Sequence, residues 1–309
     1  MIDLSQLSPM MQHYMETKKE YPDCVLFYRL GDFYEMFFDD ALTVSKELEI
    51  TLTGKDCGLS ERAPMCGVPF HALDSYLYRL VQKGYKVAIA EQMEDPRQAK
   101  GLVKREVIRV VTPGTITSSQ VLDETKNNYL MGIVYMDGIY GISTADISTG
   151  DFMVTEVDSD RELFDEINKF SPSEIICNNA FYMSGVDMDE LKNRYQVVIS
   201  ALDSRFFGEE SCRRILMEHF KVGALVGLGL EDYATGIIAA GAVMQYIYET
   251  QKSTLEHITT ITPYSTGQYM VIDTSTRRNL ELVETMREKQ KRGTLLWVLD
   301  KTKTAMGAR

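Results

Sequence analysis

Apolar and polar positions along the first third of the chain change period several times, and each change marks an element. Ser8 followed by Pro9 opens an amphipathic run from Met10 to Lys19, a capping residue and a first-turn proline that predict a helix. After Pro22, the stretch Cys24 to Phe37 is dense in apolar and aromatic residues and is broken only by Gly31-Asp32, which predicts β structure with a turn in the middle. Asp39 to Leu48 predicts a second helix, its acidic start suited to the positive end of the helix dipole. Gly54 to Pro64 is polar and glycine-bearing and predicts a loop; Ala72 to Lys83 predicts a helix, and Lys86 to Ala90 and Val107 to Thr112 predict strands. Residues 1–115 therefore read as one mixed α/β domain.

Residues 116–128 hold little apolar content and read as a linker, most plainly from Ser118 to Asn128. Three strand candidates follow, Leu130 to Tyr135, Tyr140 to Asp146 and Phe152 to Val157, with Asp137-Gly138 and Thr149-Gly150 at the bends. Then come a helix from Arg161 to Phe170, a strand from Glu174 to Cys177, a helix from Asp187 to Tyr195, a strand from Gln196 to Ser200, and helices near Cys212 to Phe220 and Asp232 to Thr250. A three-strand meander followed by alternating helix and strand is the order of a ribonuclease-H-like α/β domain with a mixed sheet, placed at 129–260. From 261 to 309 the pattern changes again: Ser275 or Thr276 can cap a helix from Arg277 to about Glu288, and Thr294 to Leu299 holds the single tryptophan, Trp297. This tail is too short to bury a core of its own and reads as the start of a helical domain.

Composition narrows the function classes. The 309 residues are 44% hydrophobic, ordinary for a globular protein, and no apolar run approaches the roughly 20 residues of a membrane helix. Met1-Ile2-Asp3-Leu4 has neither the basic start nor the apolar stretch of a secretory leader, so the expectation is a cytoplasmic protein with no membrane role. Cys24, Cys57, Cys66, Cys177 and Cys212 are odd in number and show no CxxC pair; His13, His71, His219 and His257 show no HExxH spacing. Neither a disulfide framework nor a protein-only metal site is expected. A net charge of −12 argues against indiscriminate coating of nucleic acid, whose affinity comes from Lys and Arg neutralising phosphates. Yet Arg97, Lys100, Lys104, Arg105 and Arg109 face only Glu106 between Arg97 and Arg109, a basic strip that is either a local DNA contact or a solvated face.

Gly31-Asp32-Phe33-Tyr34-Glu35 is the most informative motif. In an extended segment side chains i and i+2 point the same way, so Phe33 and Glu35 would project together, a stacking ring beside a hydrogen-bond acceptor. The plain alternative is a half-buried strand with a core Phe and a solvated Glu. The longer run Leu26 to Phe37 resembles the mismatch-recognition segment of the MutS family of DNA mismatch-repair proteins. Further blocks match in order: Pro64-Met65-Cys66-Gly67-Val68-Pro69-Phe70-His71-Ala72, Ala90-Glu91-Gln92-Met93, Arg109 to Thr115, and Asp273 to Glu281.

That resemblance implies an N-terminal fragment comprising a mismatch-recognition domain, a connector domain and the start of a core and lever domain. It implies that Phe33 wedges into the minor groove and stacks on a mispaired base while Glu35 hydrogen-bonds that base. Lys55 and Arg62 in the polar loop, Met65 beside them, and Lys100, Arg105 and Arg109 are the supporting DNA-contact candidates, the last three alternatively structural salt-bridge partners. The implied partners are duplex DNA with mismatches or small insertion/deletion loops and a MutL-type protein engaged through the connector. The whole family protein is expected to be a homodimer, with ATP and Mg serving a later ATPase domain; this chain has no GxxxxGK[ST] loop, so no cofactor and no catalysis are expected in it, and it is expected to be a monomer. Two alternatives remain open: a metal-dependent nuclease using Asp146, Asp151, Glu166 and Glu174, and a protein-interaction scaffold without a DNA role. Against the nuclease, Leu130 to Tyr135 carries no acidic residue in the first strand, and Asp146 and Asp151 read as solvated turn residues.

Overall fold

A computed structural model describes residues 4–94, 101, 103–117, 126–268 and 272–308. The chain divides into two compact units, Met1–Val121 with Glu249–Ser253, and Leu122–Tyr248 with Thr254–Arg309. The expected linker segment 118–125 lies outside the described residues.

In the first unit, α1 (Pro9–Glu20) starts behind Ser8, whose side chain makes no capping bond, so the proline at its first position is the operative start signal. Strands β1 (Cys24–Leu30) and β2 (Phe33–Phe37) form a hairpin closed by Gly31-Asp32, with Gly31 at φ +60°, a conformation that glycine adopts without a Cβ penalty. Then come α2 (Phe38–Leu48), β3 (Thr53–Lys55), β4 (Ala63–Pro69), α3 (Leu73–Gln82), β5 (Lys86–Gln92) and β6 (Arg105–Val111). The strands form one mixed sheet in the order β3-β4-β2-β1-β5-β6, parallel only between β1 and β5. The expected loop from Gly54 to Pro64 is shorter than its composition suggested: both ends are in the sheet, Lys55 opposite Ala63, because ladder hydrogen bonds to β4 outweigh the weak strand propensity of glycine and lysine.

One buried carboxylate ties three elements together. Asp40, in the first turn of α2, is nearly inaccessible; it accepts from the Leu26 N–H of β1 at 2.9 Å, from Tyr14 Oη of α1 at 3.1 Å, and from Lys18 Nζ at 2.9 Å. The dipole argument for acidic residues at this helix start accounts for Asp39 and does not reach this contact set.

The second unit opens with the meander β7 (Tyr129–Met136), β8 (Ile139–Asp146) and β9 (Asp151–Val157). It continues through α4 (Asp160–Phe170), β10 (Glu174–Cys177), a one-turn α5 (Asn179–Tyr182), α6 (Met188–Tyr195), β11 (Val198–Ala201), α7 (Glu209–Phe220) and α8 (Ala234–Gln251). The sheet order is β11-β10-β7-β8-β9, with β10 and β11 parallel to β7, and it is extended at β9 by the two-residue β12 (Thr262–Pro263). This is the ribonuclease-H-like α/β arrangement expected from the element order. Both faces are covered: Leu130, Phe152, Val154 and Ile176 share an apolar cluster with α7 and α8, while Met131, Ile133, Ile142 and Ile175 share another with α4, α5 and α6.

Helix α8 lies unusually close to the sheet, and glycines make that possible. A Cβ on Gly141 of β8 would sit 2.4 Å from backbone atoms of Thr235, and one on Gly132 of β7 would sit 2.5 Å from the Val243 side chain. The carboxylate of Glu156 on β9 caps the helix, accepting from the Thr235 and Gly236 N–H groups at 2.6 and 2.8 Å.

In the tail, α9 (Thr274–Asn279) is capped by Asp273, which accepts from the Thr276 N–H at 2.7 Å, rather than by Ser275 or Thr276. It does not run to Glu288 as the pattern suggested; Glu281 at φ +46° ends the run. Short α10 (Leu295–Leu299) and α11 (Ala305–Ala308) follow. Trp297 and its neighbours Leu295, Leu296, Val298 and Leu299 are exposed. Among the described residues no helix is long and apolar enough to cross a membrane.

Because the neighbour of Gly141 is backbone and cannot rotate away, Gly141→Ala is expected to destabilise the second unit by about 1–3 kcal/mol or more. Urea unfolding followed by far-ultraviolet circular dichroism measures this; a midpoint equal to that of the parent would show that α8 lifts from the sheet at little cost.

Candidate nucleic-acid interface

Register places the site. Phe33 pairs with Leu30 on β1 and with Pro69 on β4; Glu35 pairs with Tyr28 and Gly67; Phe37 pairs with Met65, which in turn pairs with Thr53 on β3. Residues opposite one another in a ladder share a face, so Phe33, Glu35, Met65 and Lys55 all belong to one side of the sheet. Along β2 this face runs from open to closed: Phe33 is 47% exposed, Glu35 half-buried, and Phe37 fully buried under α1, its ring edge-on to Tyr14. Phe33 is thus a large apolar ring left in solvent at the end of a strand whose remaining aromatics are packed away. The plain reading of a core Phe with a solvated Glu is reversed here.

Glu35 is not solvated because Lys55 holds it. Lys55 Nζ donates to Glu35 Oε2 at 2.5 Å and lies 5.6 Å from the centre of the Phe37 ring. Gly67 lies opposite Glu35; a Cβ there would stand in ordinary contact with Glu35 Cγ, at 3.5 Å, and more tightly against the Tyr34 carbonyl oxygen, at 3.3 Å. Met65 is half-buried and packs against the α1-side core, the default for a methionine. Arg62 is exposed in the connection between β3 and β4.

The opposite face braces the hairpin. Tyr34 donates to Glu91 of β5, and Arg29 lies 3.6 Å from the same carboxylate and 4.2 Å above the ring of Phe70, which follows β4 and is itself 44% exposed. Burial, reinforced by Glu91, pushes the Tyr34 phenol up to about 12. Arg29 and Phe70 lie within the blocks that resemble the MutS family, but their pairing across the hairpin follows only from register.

The described members of the basic strip, Lys104, Arg105 and Arg109, differ in setting. Arg97 and Lys100 lie outside the described residues. Lys104 pairs with Glu106 at 2.5 Å. Arg105 is only 6% exposed: its guanidinium donates to the Arg29 and Val103 carbonyls at 2.7 Å each and lies 5.1 Å from the Tyr28 ring. The salt-bridge alternative named for this residue is not what holds it: two of its five N–H donors go to backbone carbonyls, and a side chain so nearly closed from solvent presents little to a phosphate. Arg109 is partly exposed, 3.8 Å from Asp74.

The four carboxylates of the nuclease alternative have separate partners. Asp146 is a turn residue but not a solvated one: at 1% exposure it accepts from the N–H groups of Asn128, Ser148 and Thr149 and from Ser148 Oγ. Asp151 takes an amide proton from Asn127, Glu166 is held by Lys169 and Tyr264, and Glu174 accepts from Tyr246 at 2.8 Å. Metal-assisted hydrolysis needs convergent ligands, and among the described residues no group of three or more His, Cys, Asp or Glu side chains could hold a metal ion.

An exposed ring beside a lysine-held carboxylate, on an open sheet face of one α/β unit followed by a ribonuclease-H-like unit, defines a tandem α/β protein with a polar-aromatic face on its first sheet. Family models identify which one. Residues 8–120 match MutS domain I, 128–259 match MutS domain II and 275–309 match MutS domain III. The chain belongs to the MutS family of DNA mismatch repair proteins. It is 64% identical over 306 residues to the DNA mismatch repair protein MutS of Lachnoclostridium phytofermentans, covering 99% of this chain and 33% of the relative. It is 54% identical over 309 residues to that of Acetivibrio thermocellus and 52% identical over 309 residues to that of Ruminiclostridium cellulolyticum, in each case covering 99% of this chain and 35% of the relative. The chain therefore spans about a third of the length of these relatives.

Tyrosines buried with raised phenol pKa values link this site to alkaline stability. An unfolded phenol ionises near 10, whereas Tyr34 in the folded chain is pushed up to about 12. The folded state holds the proton longer, so the stabilisation is complete below about pH 10 and is lost as pH rises towards 12. Burial pushes the thiols of Cys24, Cys66, Cys177 and Cys212 up to about 12 as well, and an unfolded thiol ionises nearer 9, so urea midpoints are expected to start falling near pH 9 and to fall more steeply above 10. A smaller fall above pH 10 in Tyr34→Phe would assign part of the loss to this residue; an identical fall would place it in the buried thiols and the other buried tyrosines.

Proposed function

We propose that this chain recognises mispaired or unpaired bases in duplex DNA, with Phe33 as the wedge and Glu35 as the group that hydrogen-bonds the displaced base. The observation that carries this reading is the register: it sets a half-exposed Phe33 and a carboxylate two residues on upon one open sheet face. Inserting a ring into a base step costs a few kcal/mol of unstacking, and kinking the duplex costs about 1–6 kcal/mol. A mismatch or unpaired base has already lost part of its pairing and stacking, so the same insertion is less costly there. Stacking on the ring returns about 1–3 kcal/mol.

Glu35 then acts as a filter. A carboxylate beside phosphates is unfavourable unless a base donor compensates, which penalises matched duplex more than mismatched duplex. Lys55, Arg62, Met65, Lys100 and Arg109 border this reading as candidate contacts, with Arg105 supporting the hairpin from inside. Phosphate contacts would set position without reading sequence, which suits a scanner of every site. The second unit serves as the connector of the family and offers its surface to a MutL-type partner; in the longer protein, ATP and Mg act in a domain beyond the three matched here, within a homodimer.

The deciding experiment is a competition assay at fixed salt between a duplex with one unpaired thymine and its matched counterpart. Phe33→Ala is expected to remove most of the preference, about 1–3 kcal/mol, with the Tm of the chain unchanged because the ring is exposed. Glu35→Gln is expected to raise matched-duplex binding relative to the unpaired-base duplex. A preference that survives Phe33→Ala intact refutes the wedge assignment.

A further inference from the structure

We infer that Lys55 is a positioning residue for base recognition: it acts on Glu35 rather than on a DNA phosphate, holding one carboxylate oxygen so that the other remains available to the displaced base. This rests on the recognition reading above and adds to it a residue whose effect is on discrimination rather than on affinity.

Three observations carry the inference. Lys55 Nζ lies 2.5 Å from Glu35 Oε2, and both side chains are partly screened from water, 33% and 16% exposed, where a charge-assisted hydrogen bond holds its geometry better than on an open surface. Among the described residues Glu35 Oε1 has no protein donor, and a carboxylate with one oxygen occupied keeps lone pairs for another. Third, the lysine is restrained at both ends: its ammonium lies 5.6 Å from the centre of the buried Phe37 ring, and its backbone is in the ladder opposite Ala63. A residue fixed at its backbone by the sheet, with its charged end beside a buried ring, is placed to orient a neighbour. A flexible surface lysine reaching for phosphate would have neither restraint.

The arrangement also bears on net charge at the face. An unpaired carboxylate next to Phe33 would repel any duplex, matched or not. Pairing with Lys55 offsets that general repulsion, so the penalty that separates the duplexes falls on the second carboxylate oxygen, left without a donor when no base is displaced.

The test is a double-mutant cycle with Lys55→Met and Glu35→Gln, read as the ratio of affinities for the unpaired-thymine duplex and the matched duplex at one salt concentration. Methionine keeps an unbranched side chain of similar length and removes the charge; equal Tm values confirm that the variants are folded. Lys55→Met alone is expected to lower the ratio roughly three- to tenfold, the scale of one disordered hydrogen bond. In the Glu35→Gln background it is expected to leave the ratio unchanged, and Lys55→Arg is expected to restore it. If Lys55→Met weakens both duplexes equally, leaves the ratio alone in both backgrounds and reduces the salt dependence by about one phosphate contact, Lys55 is a phosphate anchor and the inference is overturned. A parent chain with no preference between the duplexes overturns the recognition reading and this inference with it.

Discussion

The placement of the proposed recognition face depends on one constraint, the register of β2 between β1 and β4. Side-chain period in a strand is two, so a slip of one residue would turn Phe33 and Glu35 inward and bring Tyr34 and Met36 out. Several features hold the register. Gly31 at φ +60° permits the two-residue turn that sets Leu30 opposite Phe33. Phe37 is locked into the core against Tyr14, and Asp40, immediately beyond, fastens the start of α2 to Leu26 of β1. On the other face the Tyr34–Glu91–Arg29 brace opposes the same slip. The exposed ring is therefore presented by a strand whose other end is among the most buried in the molecule. Such a ring can be pressed against a duplex without the strand yielding.

The second unit uses close packing for a comparable purpose. Glycines at 132 and 141 let α8 approach the sheet to a distance that any side chain would forbid, and Glu156 fixes the helix start from β9. A helix that is apolar nearly all round, with Gly and Ala spaced through it, buries far more surface per residue than an amphipathic one. Together these make a stiff body, which suits a module whose proposed task is to relay contacts.

Much of this was legible in the sequence because the signals were local. Pro9, Gly31-Asp32, the apolar runs and the turn dipeptides marked nearly every strand and helix of both sheets, and i, i+2 spacing placed Phe33 and Glu35 on one face. What escaped was set by long-range pairing. β3 and the start of β4 lay in a polar, glycine-bearing stretch with no strand composition, and only pairing across the sheet makes them strands. Arg105 read as one of a row of surface cations; alternation along β6 turned it inward while Glu106 stayed out. Asp146 read as a solvated turn residue, yet the turn it organises is wrapped around its own carboxylate and closed from water. Lys55 was legible as a basic residue near the site, but its partner lies twenty residues away across two ladder steps, a distance no local pattern spans.

A chain of net charge −12 is a poor general ligand for DNA, and the recognition face gives that charge a meaning. If affinity came mainly from cations on phosphates, matched and mismatched duplexes would bind alike, since their backbones carry the same charge. The described cations near the face are instead largely engaged within the protein: Lys55 on Glu35, Arg29 on Glu91 and Phe70, Arg105 on backbone carbonyls. Arg62 is left exposed at the edge of this face, beside an aromatic ring and a lysine-paired acid. On the proposed reading neither the ring nor the acid gains much from an intact base pair, and both gain once a base can be moved. On the proposed reading, weak attraction to ordinary DNA is therefore a condition for discrimination, because the energy difference between a sound and a faulty step is only a few kcal/mol and would be a small fraction of a large phosphate term.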